Sequence, residues 1–201
     1  GGAAHIARVA RCSRFMRCLL DAKFVEASAA ALGGPPGCRS LEHLAVLEEV
    51  RNIGTHLVWF KGACEELYKG SHARVQDYAA ILLGHPSVCL HIHAHTGVRA
   101  PDSIAEGFTK DRAEMICSIL RGCSVDDSQV HTTGWGKEVA RAFGWAPGRE
   151  SARAEIFVAF SDDSVWFPGR LPVEYEMVAK SRAEGVARGN GAGGRRCDDD
   201  Q

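Results

Sequence analysis

LHIHAHTGVRAPDSIAEGFTKDR, residues Leu90 to Arg112, decides how this chain is read. Leu90, Ile92 and Ala94 alternate with His91, His93 and His95, the period of two that puts one set of side chains on each face of a β-strand. The pattern stops at Thr96-Gly97, a loop through Pro101 follows, and a helix is expected to open at Phe108-Thr109 and to carry Arg112-Ala113.

Working outward, the coarse pattern is strand 55–60, helix 71–84, strand 87–96, helix 108–122, strand 128–134 and strand 152–160. The order is βαβαββ. Crossovers between parallel strands are right-handed, so both helices should land on one face of the sheet and leave the other comparatively open. Tyr78, Ile81 and Leu82 on the first helix and Met115, Ile116, Ile119 and Leu120 on the second supply the apolar stripes. The expected class is α+β, a two-layer α/β sandwich with a mixed sheet.

The flanks are read more coarsely. Residues 1–51 form a helical extension: Ala4 to about Ala31 has apolar residues at helical spacing, with Arg8, Arg11, Arg14 and Arg17 on another face. That basic face fits a solvated side of a packing helix better than a membrane-binding one. Gly33-Gly34-Pro35-Pro36-Gly37 reads as a linker, and Ser40 as the N-cap of a helix over LEHLAVLEEV. Residues 52–160 form the domain proper. Residues 161–201 read as a polar, largely disordered tail, in which EYEMVAKSRAEGVA can form a short helix.

Composition narrows the function classes. A net charge of −1 over 201 residues gives no global pull toward nucleic acid or anionic membrane. No apolar run approaches the roughly 20 residues that span a bilayer. The eight cysteines contain no CxxC pair, which argues against a structural zinc site or a disulfide scaffold and suggests reduced, partly buried thiols. Cys89 and Cys117 read as small hydrophobes. That usage suits a reducing compartment. The chain opens Gly1-Gly2 without Met, so a fragment of a longer protein is one reading and the compartment stays open.

Several landmarks recur in a familiar order. Val58-x-Phe60 with Leu67, the helix SHARVQDYAAILLGHP from Ser71 to Pro86, His95-Thr96-Gly97, Phe108 to Ala113, Gly134-Trp135-Gly136, and SARAEIFV from Ser151 to Val158 resemble the C-terminal domain of outer membrane protein A. The peptidoglycan-associated lipoprotein and the flagellar stator protein MotB share that domain. The resemblance covers about Asn52 to Phe160. It implies a non-catalytic domain that holds the diaminopimelate residue of peptidoglycan stem peptides and anchors its carrier to the cell wall, in a periplasmic, outer-membrane or wider cell-envelope setting, with no cofactor.

In that family the HTD aspartate takes the ligand ammonium and the LSxxRA arginine takes the carboxylate with its planar fork. By resemblance Arg112 holds the arginine position, Thr96 the threonine, and Phe108 and Thr109 stand for Leu and Ser. Gly97 stands where the aspartate belongs, and Ala105 where an asparagine usually shapes the loop. Removing one partner of a desolvated charge pair costs about 2 to 5 kcal/mol, roughly thirty-fold to several-thousand-fold in affinity. Asp102, five residues on, is the acid within reach of that vacancy.

Two alternatives accompany this reading. The domain can be a repurposed protein-interaction scaffold. The same-face histidines His91, His93 and His95 can also be read as metal ligands, with His131 on a neighbouring strand as a further recruit and Asp102 or Glu106 as a base for hydrolysis. Adjacent same-face positions lie about 7 Å apart, which weighs against three consecutive histidines on one ion. Arg149 and Arg153 resemble remnants of the family's GR…NRR segment, and Arg153 is expected to neutralise Glu155. No nucleophile elbow or Cys-His arrangement is supported by its context.

Overall fold

Val88, Leu90, Ile92 and Ala94 all point to one side of strand β2 (Val88–Ala94), and each is at most 1% exposed. A strand so buried sits inside a sheet, covered by helices. The computed structural model describes residues 22–31, 34, 38, 40–61, 66–145, 152–161, 166–167 and 173–191. The expected helix before residue 22, most of the Gly-Pro linker, Arg149 and residues 192–201 lie outside the described residues. In chain order the elements are α1 (Ala22–Ala31), α2 (Leu41–Ile53), β1 (Leu57–Trp59), α3 (Lys69–Gly84), β2, α4 (Asp102–Gly122), a 3-10 turn (Asp127–Gln129), β3 (Val130–Gly134), α5 (Glu138–Ala142), β4 (Arg153–Phe160), β5 (Trp166–Phe167) and α6 (Val173–Gly191).

The sheet runs β1-β4-β2-β3, with β5 also paired to β4. β2 and β3 are parallel, while β4 is antiparallel to β1, β2 and β5. The α+β class, the mixed sheet and the βαβαββ core order hold. The even-numbered residues of β2 and β4 join Val75, Tyr78, Leu82, Ile116 and Leu120 of α3 and α4 in one apolar core. Met115 and Ile119 pack against its margin.

Local signals explain the helix ends. Ser40 Oγ accepts from the backbone N–H of His43 at 3.0 Å, the cap expected of it at the start of α2. Gly54, at φ +83°, ends that helix in a region where a Cβ is strained. Burial raises the Cys38 and Cys117 thiols to about 11, so both are inert small hydrophobes. No disulfide joins Cys38, Cys89, Cys117 and Cys123 among the described residues. No helix among them is long and apolar enough to cross a membrane.

Three expectations need correction. The second core helix opens at Asp102, six residues before Phe108, because Pro101 supplies the fixed φ and a free carbonyl: Ile104 and Ala105 donate to Pro101 O at 3.3 and 3.1 Å. Asp102 then occupies the first turn, where a carboxylate is favoured by the helix dipole. The segment read as a disordered tail contributes β5 and α6, and Tyr175 of α6 is only 2% exposed. The face of the sheet expected to stay open is roofed at one end by Trp135, Val139 and Tyr175, a second small apolar cluster joined by Phe143, Trp145 and Val178.

Ile92→Ala should lower unfolding free energy by about 2 to 5 kcal/mol, the range for deleting a fully buried branched chain. Leu83→Ala, at a side chain 55% exposed, should change it by less than about 0.5 kcal/mol. Urea unfolding of the two variants measures both, and similar losses would contradict this core.

Candidate functional site

The C-terminal end of β2 is fixed by backbone pairing before any side chain acts. His95 N–H donates to Arg153 O at 2.9 Å, Thr96 N–H to Gly136 O at 2.8 Å, and Trp135 N–H to Ala94 O at 2.9 Å. α4 closes on this corner very tightly. Thr109 Oγ1 accepts from Gly136 N–H at 3.2 Å and donates to Glu106 O at 2.9 Å. A Cβ on Gly134 would meet that hydroxyl at 2.7 Å, so the corner requires glycine there. Gly136 takes φ +56° to make the turn.

One turn of helix beyond Thr109, Arg112 reaches the same corner. Its Nη1 donates to His95 O at 2.8 Å, and its guanidinium lies 5.0 Å from the Phe60 ring centroid. The side chain is buried, and burial lowers its pKa from the ordinary arginine value without removing its charge at neutral pH. Thr96, Thr109 and Arg112 are therefore brought together, with Gly97 half-buried at the strand exit. Phe108 is half-buried on the same helix.

Asp102 takes a different role from the one expected of a loop acid. Its carboxylate accepts from Lys137 Nζ at 2.7 Å and lies 3.5 Å from Arg141 Nη2. The hydrogen bond from Lys137 holds its pKa below the usual aspartate value. Lys137 is itself buried and donates a second bond to Ala100 O at 2.8 Å, stitching the loop after β2 to the turn after β3. Sequence reasoning missed Lys137. Its position directly after Gly134-Trp135-Gly136 was the available signal.

The other face of β2 carries the histidines, and they do not form one cluster. His93 Nδ1 accepts from Trp135 Nε1–H at 2.7 Å, which leaves the proton of the neutral ring on Nε2. His95 Nε2 lies 3.0 Å from the Tyr175 hydroxyl, which donates to Glu155 Oε2 at 2.6 Å. Glu155 Oε1 accepts from Arg153 Nε at 2.9 Å, the neutralisation expected for this pair. The Arg153 guanidinium sits 3.7 Å from the Trp145 ring centroid. His93 and His95 are thus committed to aromatic partners, and the expected set His91, His93 and His95 does not converge on one ion. His91 instead lies against His131, ring centroids 4.8 Å apart.

Tyr175 was invisible to a reading that ended the domain at Phe160. Its spacing from Val178, one helical turn, was the signal of a buried stripe. Within this roof, His93 Nε2 and His95 Nδ1 are buried with no hydrogen-bond partner among the described residues. Desolvation, then the neighbouring His91, pushes the His93 pKa down to about 4. Desolvation, then His93 and Arg153, holds His95 well below the ordinary value.

No family model matches the chain, and no curated protein matches it. Solved structures similar to it include the peptidoglycan-associated lipoprotein from Burkholderia pseudomallei, at 23% identity over 56% of this chain and 91% of that one, TM-score 0.45. The OmpA-like domain of FopA1 from Francisella tularensis is 14% identical over 52% of this chain and 71% of its own, TM-score 0.42. The C-terminal domain of Helicobacter pylori MotB is 15% identical over 63% and 94%, TM-score 0.43. The fold described above rests on strand order and register.

Two outcomes test the roofed face. Both histidines are neutral in the folded protein and titrate near 6.5 when unfolded, so the unfolded chain binds more protons below that pH. Their stabilisation is complete above about pH 6.5 and is lost as pH falls below it, for His93 toward its folded pKa of about 4, at up to about 1.4 kcal/mol per pH unit for each fully titrating ring. Urea unfolding at pH 7, 6 and 5 should show it, and a flat profile would contradict the burial. Tyr175→Phe removes the donor to Glu155 Oε2, leaving Arg153 on Oε1 alone, and should cost about 1 to 3 kcal/mol.

Proposed function

We propose that this chain is a non-catalytic binding domain of the cell-wall-anchoring type, whose ancestral ligand is the diaminopimelate residue of a peptidoglycan stem peptide. The ordered landmarks from Val58 to Val158 support the reading. The observation that carries it is Arg112, a buried cation held against the carbonyl of His95, next to Thr96-Gly97 at the exit of β2. A guanidinium fixed at a strand end suits one end of a zwitterion, the carboxylate.

The other end lacks its partner. Gly97 brings no anion, and Asp102 is engaged by Lys137 and Arg141. The proposed domain therefore grips a stem peptide by its carboxylate and weakly, in keeping with a loss of about 2 to 5 kcal/mol for one missing charge. A protein partner is the second reading, favoured by that same missing anion. Residence in the cell envelope belongs to the first reading.

Calorimetric titration with a diaminopimelate-containing stem peptide tests this. Gly97→Asp should bind at least thirty-fold more tightly than the unmodified chain, and Arg112→Ala in the Gly97→Asp background should abolish the gain. Circular dichroism of each variant separates lost binding from lost folding, because Arg112 also supports the His95 carbonyl. Silence from a folded Gly97→Asp variant would overturn the peptidoglycan reading in favour of a protein partner.

A further inference from the structure

We propose that Cys89, His91 and His131 form a zinc-binding site on the face of the sheet opposite the main core. Cys89 and His91 are two apart on β2 and share a face. The parallel register of β2 and β3 sets His131 directly beside His91. One ligand atom from each side chain lies within 4.8 Å of the other two. Three donors of zinc-ligand type thus converge from two adjacent strands, where three consecutive histidines of one strand do not.

The distances fit the ion. Zn–S near 2.3 Å and Zn–N near 2.0 to 2.1 Å at a tetrahedral angle require an S···N edge of about 3.6 Å. Cys89 Sγ and His91 Nε2 are 3.6 Å apart. An N···N edge of about 3.4 Å is needed between the imidazoles. The two rings already face each other at 38°, and His131 is an exposed residue on the edge strand, with room to rotate toward the ion.

The surroundings favour a metal over a simple thiol–imidazole contact. On β4 the positions beside Cys89 and His91 are Ala159 and Phe157, with apolar side chains, and the Ala159 carbonyl lies 3.6 Å from Cys89 Sγ. Phe157 and Ala159 are buried and wall one side with apolar surface, which strengthens metal–ligand attraction. On binding, the Cys89 S–H bond breaks, its proton goes to solvent, and the thiolate and two neutral imidazoles bond the cation. Three protein ligands leave the fourth position to water on the exposed side. The site stands apart from Arg112 and does not depend on the stem-peptide reading.

The test uses the full 201-residue chain, reduced and stripped with a chelator, titrated with Zn²⁺ against a chromophoric competitor and separately with Co²⁺. One equivalent should bind with micromolar or tighter affinity, and the Co²⁺ form should show a thiolate-to-cobalt charge-transfer band. His131→Ala, an exposed change that leaves the fold intact, should weaken Zn²⁺ at least tenfold. It should also abolish the rise in melting temperature that Zn²⁺ gives the unmodified chain. Cys89→Ser should remove the charge-transfer band. No saturable equivalent, or an equivalent and band unchanged in both variants, would overturn the site.

Discussion

Strand β2 is the constraint on which the rest of the molecule depends, because it is buried on both faces and carries opposite chemistry on each. Its even-numbered side chains are apolar and need only volume, which α3 and α4 supply. Its odd-numbered side chains are Cys89, His91 and His93, continued by His95 just past the strand end. Burying an imidazole without a partner costs a few kcal/mol. The protein therefore needs a roof that is aromatic and also offers hydrogen-bond partners, Trp135 Nε1–H as donor to His93 and the Tyr175 oxygen as acceptor for His95. Trp135 and Tyr175 meet both needs, one from the exit of β3 and the other from α6. The last helix is part of the domain for this reason, since its tyrosine covers His95 and binds Glu155.

The same strand end explains why so few residues hold the corner at which β2, β3 and α4 meet. Thr109 can approach Gly134 only because that residue has no Cβ. Helix α4 is thereby fixed in register against β3, and Arg112, three residues on, falls beneath the His95 carbonyl. A charge-assisted hydrogen bond of this kind contributes about 1.5 to 3 kcal/mol. Arg112 thus has a structural duty whatever it binds.

Much of this was legible in the sequence, and what was not has a physical cause. The alternation in β2, the stripes of α3 and α4 and the Ser40 cap are local patterns set by backbone geometry, and each appears where expected. The start of α4 differs from expectation because Pro101 reads as a loop residue, whereas proline is well suited to open a helix. Lys137 and Tyr175 act through partners 35 and 80 residues away in sequence, Asp102 and His95. No local window contains such pairs. The histidines could be assigned to one face by periodicity, but which of them are sealed was decided by Trp135 and Tyr175.

The distribution of charge around the exit of β2 bears on what the domain can select. Arg112 lies beneath the strand end. Lys137 bonds Ala100 in the following loop, and Arg141 lies one helical turn further on. Asp102 stands against Lys137 and Arg141. Its carboxylate offsets part of their charge and remains mostly exposed, so water screens it. The guanidinium of Arg112 is shielded from water by Phe60 and the corner of the sheet. Electrostatic attraction is stronger where water is excluded. On the proposed reading, then, selectivity comes from the buried cation, and a carboxylate is preferred to an ammonium. An acid at position 97 would restore balance because it would enter that same partly dry region, which a surface aspartate does not.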